Sequence, residues 1–206
     1  MTIDSGIYSA PAKLTKLAFQ RRRVLGMAAL LGLAACGGGT GDRATAKPRL
    51  VMFGESHARR WCADNPQTMV RWDWANWGVG GETTDRGLRR LPEALALRPD
   101  LLVLWQGGND AIQFDGLNEP SYRAMLRLMA SSGVACIALT IPRIYRDARE
   151  HSASIRVAAA QRRLTAEEGV PLFDVEPLID RTMILDDGLH LTADGYALVS
   201  ARLGWL

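Results

Sequence analysis

From Arg49 onward, short apolar runs alternate with longer stretches of helical periodicity, a pattern that restricts the chain to a parallel sheet covered by helices on both faces. The runs fall at 50–53, 70–75, 101–105, 135–140 and 171–174. Between them, residues 83–97 place Leu88, Leu91 and Leu95 at helical spacing, and 121–131 and 149–168 carry further helical patterns. Thr192 stands as the N-cap of a last helix running to about residue 203. With 206 residues, 48% of them hydrophobic, the chain can build one sizeable core but not two. The expectation is one three-layer α/β/α sandwich on a five-stranded parallel sheet, occupying residues 48–206.

Sheets of this kind hold ligands outside the carboxyl ends of their strands. Ser56 follows the first strand, Gly78 to Gly81 the second, Asn109 the third, and Asp187 and His190 lie in the loop after the fifth. A hydroxyl nucleophile needs a base, an acid to orient that base, and donors for an oxyanion. Asp187 and His190, three residues apart, supply the acid and the base for Ser56, in the chain order serine, acid, histidine. The other histidines are 57 and 151. His151 sits in a polar, charged helix and reads as solvated. His57 adjoins Ser56, which turns its ring elsewhere, and is weighed as an alternative to His190 as the base and, with more reason, as a pocket-lining residue. Trp61, Trp72, Trp74, Trp77 and Trp105 read as core; Trp77 and Trp105, beside the glycine segments, are the two placed to wall a substrate pocket.

Phe53-Gly54-Glu55-Ser56-His57, Asn76-Trp77-Gly78-Val79-Gly80-Gly81-Glu82-Thr83-Thr84, Gly107-Gly108-Asn109-Asp110 and Asp187-Gly188-Leu189-His190 resemble, in order, the four blocks of the SGNH (GDSL-type) hydrolase family. The resemblance implies a flavodoxin-like hydrolase fold, an acyl-enzyme on Ser56, and no cofactor. It also implies an oxyanion hole made of the Ser56 and Gly81 backbone amides and the Asn109 side-chain amide. Two positions depart from the family pattern. Glu55 stands where the family usually has Asp, one methylene shorter, and His57 where it usually has Leu. Family activities include lysophospholipase, thioesterase, arylesterase and carbohydrate acetylesterase. Polysaccharide O-acetylation chemistry, by hydrolysis or acyl transfer in the cell envelope, is an alternative, and a non-catalytic envelope-binding lipoprotein is another. Only 24 residues separate Ser56 from Gly81 and no segment is long enough for a lid, so an open groove is expected.

Other classes are disfavoured. The glycines form no dinucleotide fingerprint, since Thr83 occupies the place of its third glycine, and no phosphate loop ending in Lys-Ser/Thr exists. Three scattered histidines lack metal-ligand spacing. The formal charge of +3 comes from the first 35 residues, where Lys13, Lys16, Arg21, Arg22 and Arg23 face only Asp4; the near-neutral remainder speaks against nucleic acid. That leading segment reads as an export signal, with a cationic cluster, the apolar run 24–35 and then Cys36. Leu33-Ala34-Ala35-Cys36 resembles a bacterial lipobox, making Cys36 the lipidation site, and Arg21-Arg22-Arg23-Val24-Leu25 resembles a twin-arginine signal. Residues 36–47 form a flexible tether. A periplasm-facing lipoprotein, of the outer membrane because Gly37 follows the cysteine, is expected to touch membrane only through that anchor. Cys62 and Cys136 then remain, with Cys136 read as a buried strand thiol.

Overall fold

In the computed structural model, residues 47–205 are described; the signal segment 1–35, Cys36 and all of the tether but Lys47 lie outside the described residues. Five strands, β1 (Arg49–Gly54), β2 (Asp73–Gly78), β3 (Leu101–Trp105), β4 (Cys136–Leu139) and β5 (Leu172–Phe173), form one parallel sheet in the order β2-β1-β3-β4-β5. Among the described residues six α-helices accompany them: α1 (Ser56–Asp64), α2 (Thr84–Ala96), α3 (Gly108–Phe114), α4 (Glu119–Ser131), α5 (Ala148–Glu168) and α6 (Ala193–Arg202).

The pleat of β1 and β3 sorts their side chains into two cores. Leu50, Met52, Val103 and Trp105 pack on one face with Trp61 of α1, Val157 of α5, and Tyr196 and Val199 of α6. Val51, Phe53, Leu102 and Leu104 pack on the other with Leu91 of α2 and Tyr122, Met125 and Met129 of α4. Because both faces are covered, Leu50 to Phe53 are wholly buried without a break, as a central parallel strand requires. Cys62 belongs to the first core and Cys136 packs against the second, on opposite sides of the sheet, and both thiols are free.

The expected three-layer fold is present, with shifted boundaries. The second strand begins at Asp73, not at Val70, whose side chain is 56% exposed. A 3-10 turn at Pro66–Met69 delays extension, and β2 then runs with a neighbour on one side only. The fifth strand contracts to two residues. Two short helices, α1 and α3, stand where no helix is predicted. Thr192 does cap α6, its side-chain oxygen accepting from Gly195 N at 3.2 Å.

Candidate active site

Gly54 ends β1 so close to β3 that a Cβ there would lie 1.9 Å from the Trp105 carbonyl oxygen. Only glycine permits that approach, and the chain turns at once into α1, whose first residue is Ser56. Ser56 is 8% exposed, its hydroxyl at the groove and its backbone N–H in the first turn of a helix, where amide hydrogens lack intrahelical acceptors.

His190 reaches Ser56 from the far end of the sequence. Its Nε2 is 2.9 Å from Ser56 Oγ and its Nδ1 is 2.6 Å from Asp187 Oδ2. Asp187 Oδ1 accepts from the backbone N–H groups of Leu189 and His190, both at 2.9 Å. Burial opposes ionisation of this carboxyl, but the His190 ring and the two amides outweigh it and hold Asp187 down at about 2. An anionic Asp187 fixes the tautomer in which Nδ1 carries the proton and leaves Nε2 basic toward Ser56. The loop itself is clamped: Leu185 N donates to His190 O at 2.8 Å and Tyr145 N to Gly188 O at 2.6 Å.

On the opposite side of the groove lie Gly81 and Asn109. Gly81 has φ +76°, and nothing stands within 4 Å of the place a Cβ would occupy. Its glycine is therefore demanded by backbone conformation. Asn109, in the first turn of α3, is held by Glu55. One carboxylate oxygen accepts from Gly108 N at 3.0 Å, and the other from Asn109 N at 2.9 Å and Asn109 Nδ2 at 2.5 Å. The extra methylene of Glu55 thus spans from the nucleophile turn to the third block. Glu55 is 1% exposed, and burial lifts its carboxyl to about 7 against the pull of those donors. An amide nitrogen has two hydrogens, so Asn109 keeps one for the groove. Buried Asp110 ties the same region together, accepting from Thr84 N and Asn118 N at 2.9 Å each. Neither bracing role was read from the sequence. The signal available was two carboxylates flanking the key Ser and Asn.

The groove has a volume of about 580 Å³ and is lined by Ser56, Arg59, Gly78, Val79, Gly80, Gly81, Asn109, Leu189 and His190. It is open, as expected. The three residues expected to wall it do not. Trp105 is fully buried, donating its indole N–H to Thr140 O at 3.2 Å. His57 lies behind Ser56, 1% exposed and stacked on Trp105 with 5.0 Å between ring centroids. Burial and the nearby His190 push the His57 imidazole down to about 3, and its buried Nδ1 has no partner among the described residues. Trp77, on an outer strand, is half-buried against the α2 side of the sheet. His151 is only partly solvated: it is half-buried, and its Nδ1 lies 2.8 Å from Ile144 O. Among the described residues no cluster of His, Cys, Asp or Glu side chains has the geometry to hold a metal ion, and no helix is long and apolar enough to cross a membrane.

A sequence model of the GDSL-like lipase/acylhydrolase family matches residues 35–198. The chain belongs to that family. As a GDSL-like acylhydrolase it is an ester-hydrolysing enzyme, and its sheet and helices match those of solved family structures. A GDSL-like lipase from Bacteroides thetaiotaomicron is 20% identical, with a TM-score of 0.67 over 91% of this chain and 95% of that one. A lipase/acylhydrolase from Enterococcus faecalis is 24% identical, with a TM-score of 0.62 over 76% and 93%. The aryl esterase of M. smegmatis is 17% identical, with a TM-score of 0.62 over 76% and 96%. No curated protein matches the sequence at a significant level. In this GDSL-like acylhydrolase, the four sequence blocks meet at one end of the sheet, around one groove.

Proposed function

We propose that the protein hydrolyses a carboxylic or thio ester through an acyl-enzyme on Ser56. The observation that carries the reading is the continuous hydrogen-bonded run from Asp187 through His190 to Ser56 at the groove. Ser56 Oγ attacks the carbonyl carbon while its proton passes to His190 Nε2, and the new imidazolium is balanced by Asp187. The carbonyl oxygen takes the negative charge, met by the Ser56 and Gly81 amides and the free hydrogen of Asn109 Nδ2. Collapse expels the alcohol or thiol, which takes the proton back from His190. Water, deprotonated by the same nitrogen, then attacks the acyl-enzyme and frees Ser56.

The test is hydrolysis of p-nitrophenyl esters of graded acyl length by wild type and Ser56→Ala. The variant is expected to lose roughly 10⁴-fold or more in kcat with native spectroscopic signatures intact. Equal rates would sink the assignment, while the length profile reads the acyl side of the groove.

The N-terminal pattern supports a place for this activity: exported, lipidated on Cys36 and facing the periplasm from the outer membrane. Labelled palmitate should enter the wild-type chain in a bacterial host and fail to enter Cys36→Ala. Equal labelling rejects the anchor without touching the chemistry.

A further inference from the structure

Arginines in this chain are habitually matched to carboxylates. Arg90 pairs with Glu82, Arg123 with Glu167 and Glu168, Arg162 with Asp174 and Glu176, and Arg163 with Glu119. Arg59, like Arg71, Arg86, Arg98 and Arg202, has a guanidinium that makes no ion pair or hydrogen bond with any described residue, and of these five only Arg59 lines the groove. Apart from the His190 imidazole it is the only ionisable side chain among the groove's lining residues.

Its position is fixed by neighbours on both sides. Arg59 comes three residues after Ser56 on α1, so the two side chains share a helix face. Its backbone N–H donates to Glu55 O at 3.0 Å, and its carbonyl accepts from Asn76 Nδ2 at 3.0 Å. Gly78 lets the second block settle on that backbone: a Cβ there would lie 2.2 Å from Arg59 N. Farther out, a Cβ on Gly80 would meet the guanidinium at 3.4 Å from Cζ. The charged head therefore lies along the glycine wall leading to Gly81. The lining also offers apolar surface from Val79, which is 42% exposed.

We propose that Arg59 is a specificity-determining residue that selects esters carrying an anionic group, a carboxylate or a phosphate, a few carbons from the scissile carbonyl. The inference rests on the reading of Ser56 as nucleophile. A guanidinium without a protein carboxylate has five N–H donors in a planar fork, and a bidentate carboxylate or phosphate satisfies that fork. The anion belongs to the acyl chain or to the alcohol, and the assay separates the two.

The full-length protein is assayed on two substrate pairs. p-Nitrophenyl hemisuccinate against p-nitrophenyl butyrate places the charge on the acyl side with the leaving group unchanged. 4-Acetoxybenzoate against its methyl ester places it on the alcohol side. In at least one pair the wild type is expected to favour the anionic ester, chiefly through a lower KM, and added salt should narrow the preference. Arg59→Gln should reduce the kcat/KM ratio of charged to neutral ester at least about tenfold, Arg59→Glu should invert it, and Arg59→Lys should keep part of it. Turnover of the neutral esters with no preference in either pair, or a preference that survives in folded Arg59→Gln and Arg59→Glu, overturns the proposal and leaves the esterase reading standing. Absence of Ser56-dependent turnover on all four esters overturns that reading and the proposal with it.

Discussion

Glu55 shows how one methylene redistributes work at the residue scale. Its carboxylate gathers three N–H donors from Gly108 and Asn109, and a protonated carboxyl would turn one acceptor into an O–H facing them. Glu55→Gln imposes that mismatch at every pH. It is expected to lower kcat roughly 10- to 100-fold with little change in KM, as Asn109 loses its anchor; unaltered kcat would rule out the bracing role. Linkage gives a second reading of the same residue. The folded carboxyl sits near 7, above its ordinary 4.5, so between those values the folded state binds more protons than the unfolded state. This contribution to stability is therefore present below about 4.5 and is lost as pH rises through about 7. Urea midpoints should show wild type losing ground against Glu55→Gln between pH 5 and pH 8, and a gap that stays constant would contradict the buried, elevated carboxyl.

Among the elements, the loop carrying Asp187 and His190 has little tolerance. Gly188 has φ +69°, and a Cβ there would stand 2.9 Å from the Tyr145 carbonyl carbon and 3.0 Å from Arg146 N. Gly188→Ala is expected to cost about 1–3 kcal/mol of stability and to cut kcat at least tenfold by displacing the His190 ring, whereas wild-type values would show the loop yields freely. Such elements were unevenly legible in the sequence. The site residues were readable because nucleophile, acid and base belong to scarce residue types at fixed offsets from strands. Helix α1 was hidden although Ala58, Trp61 and Cys62 mark its buried face, because Ser56 was read only by its place after the first strand. The pocket walls were unreadable for a different reason. Aromatics beside a motif face the groove or the core according to the pleat, and β3 turns Trp105 inward to meet Trp61 and His57.

For the molecule as a whole, the order β2-β1-β3-β4-β5 brings Gly54, Gly78 and Trp105 to one edge of the sheet, where the site is assembled. The scaffold under that edge is graded in strength. β1 and β3 are paired on both sides and buried among both cores, whereas β5 has two residues and one neighbour. Native-state hydrogen exchange should find the β1 and β3 amides slowest and those of β5 among the first to exchange; uniform protection across the sheet would contradict this gradient. The brevity of β5 also bears on how concentrated protein behaves. An outer strand is a template on which another chain can add, and two residues offer too little ladder for a stable addition. At the opposite side β2 is longer, but the exposed polar residues Asp73 and Asn76 interrupt any apolar stripe. Native molecules are thus blunted at both margins against edge-to-edge growth, and clumping on storage has to wait for the sheet to open.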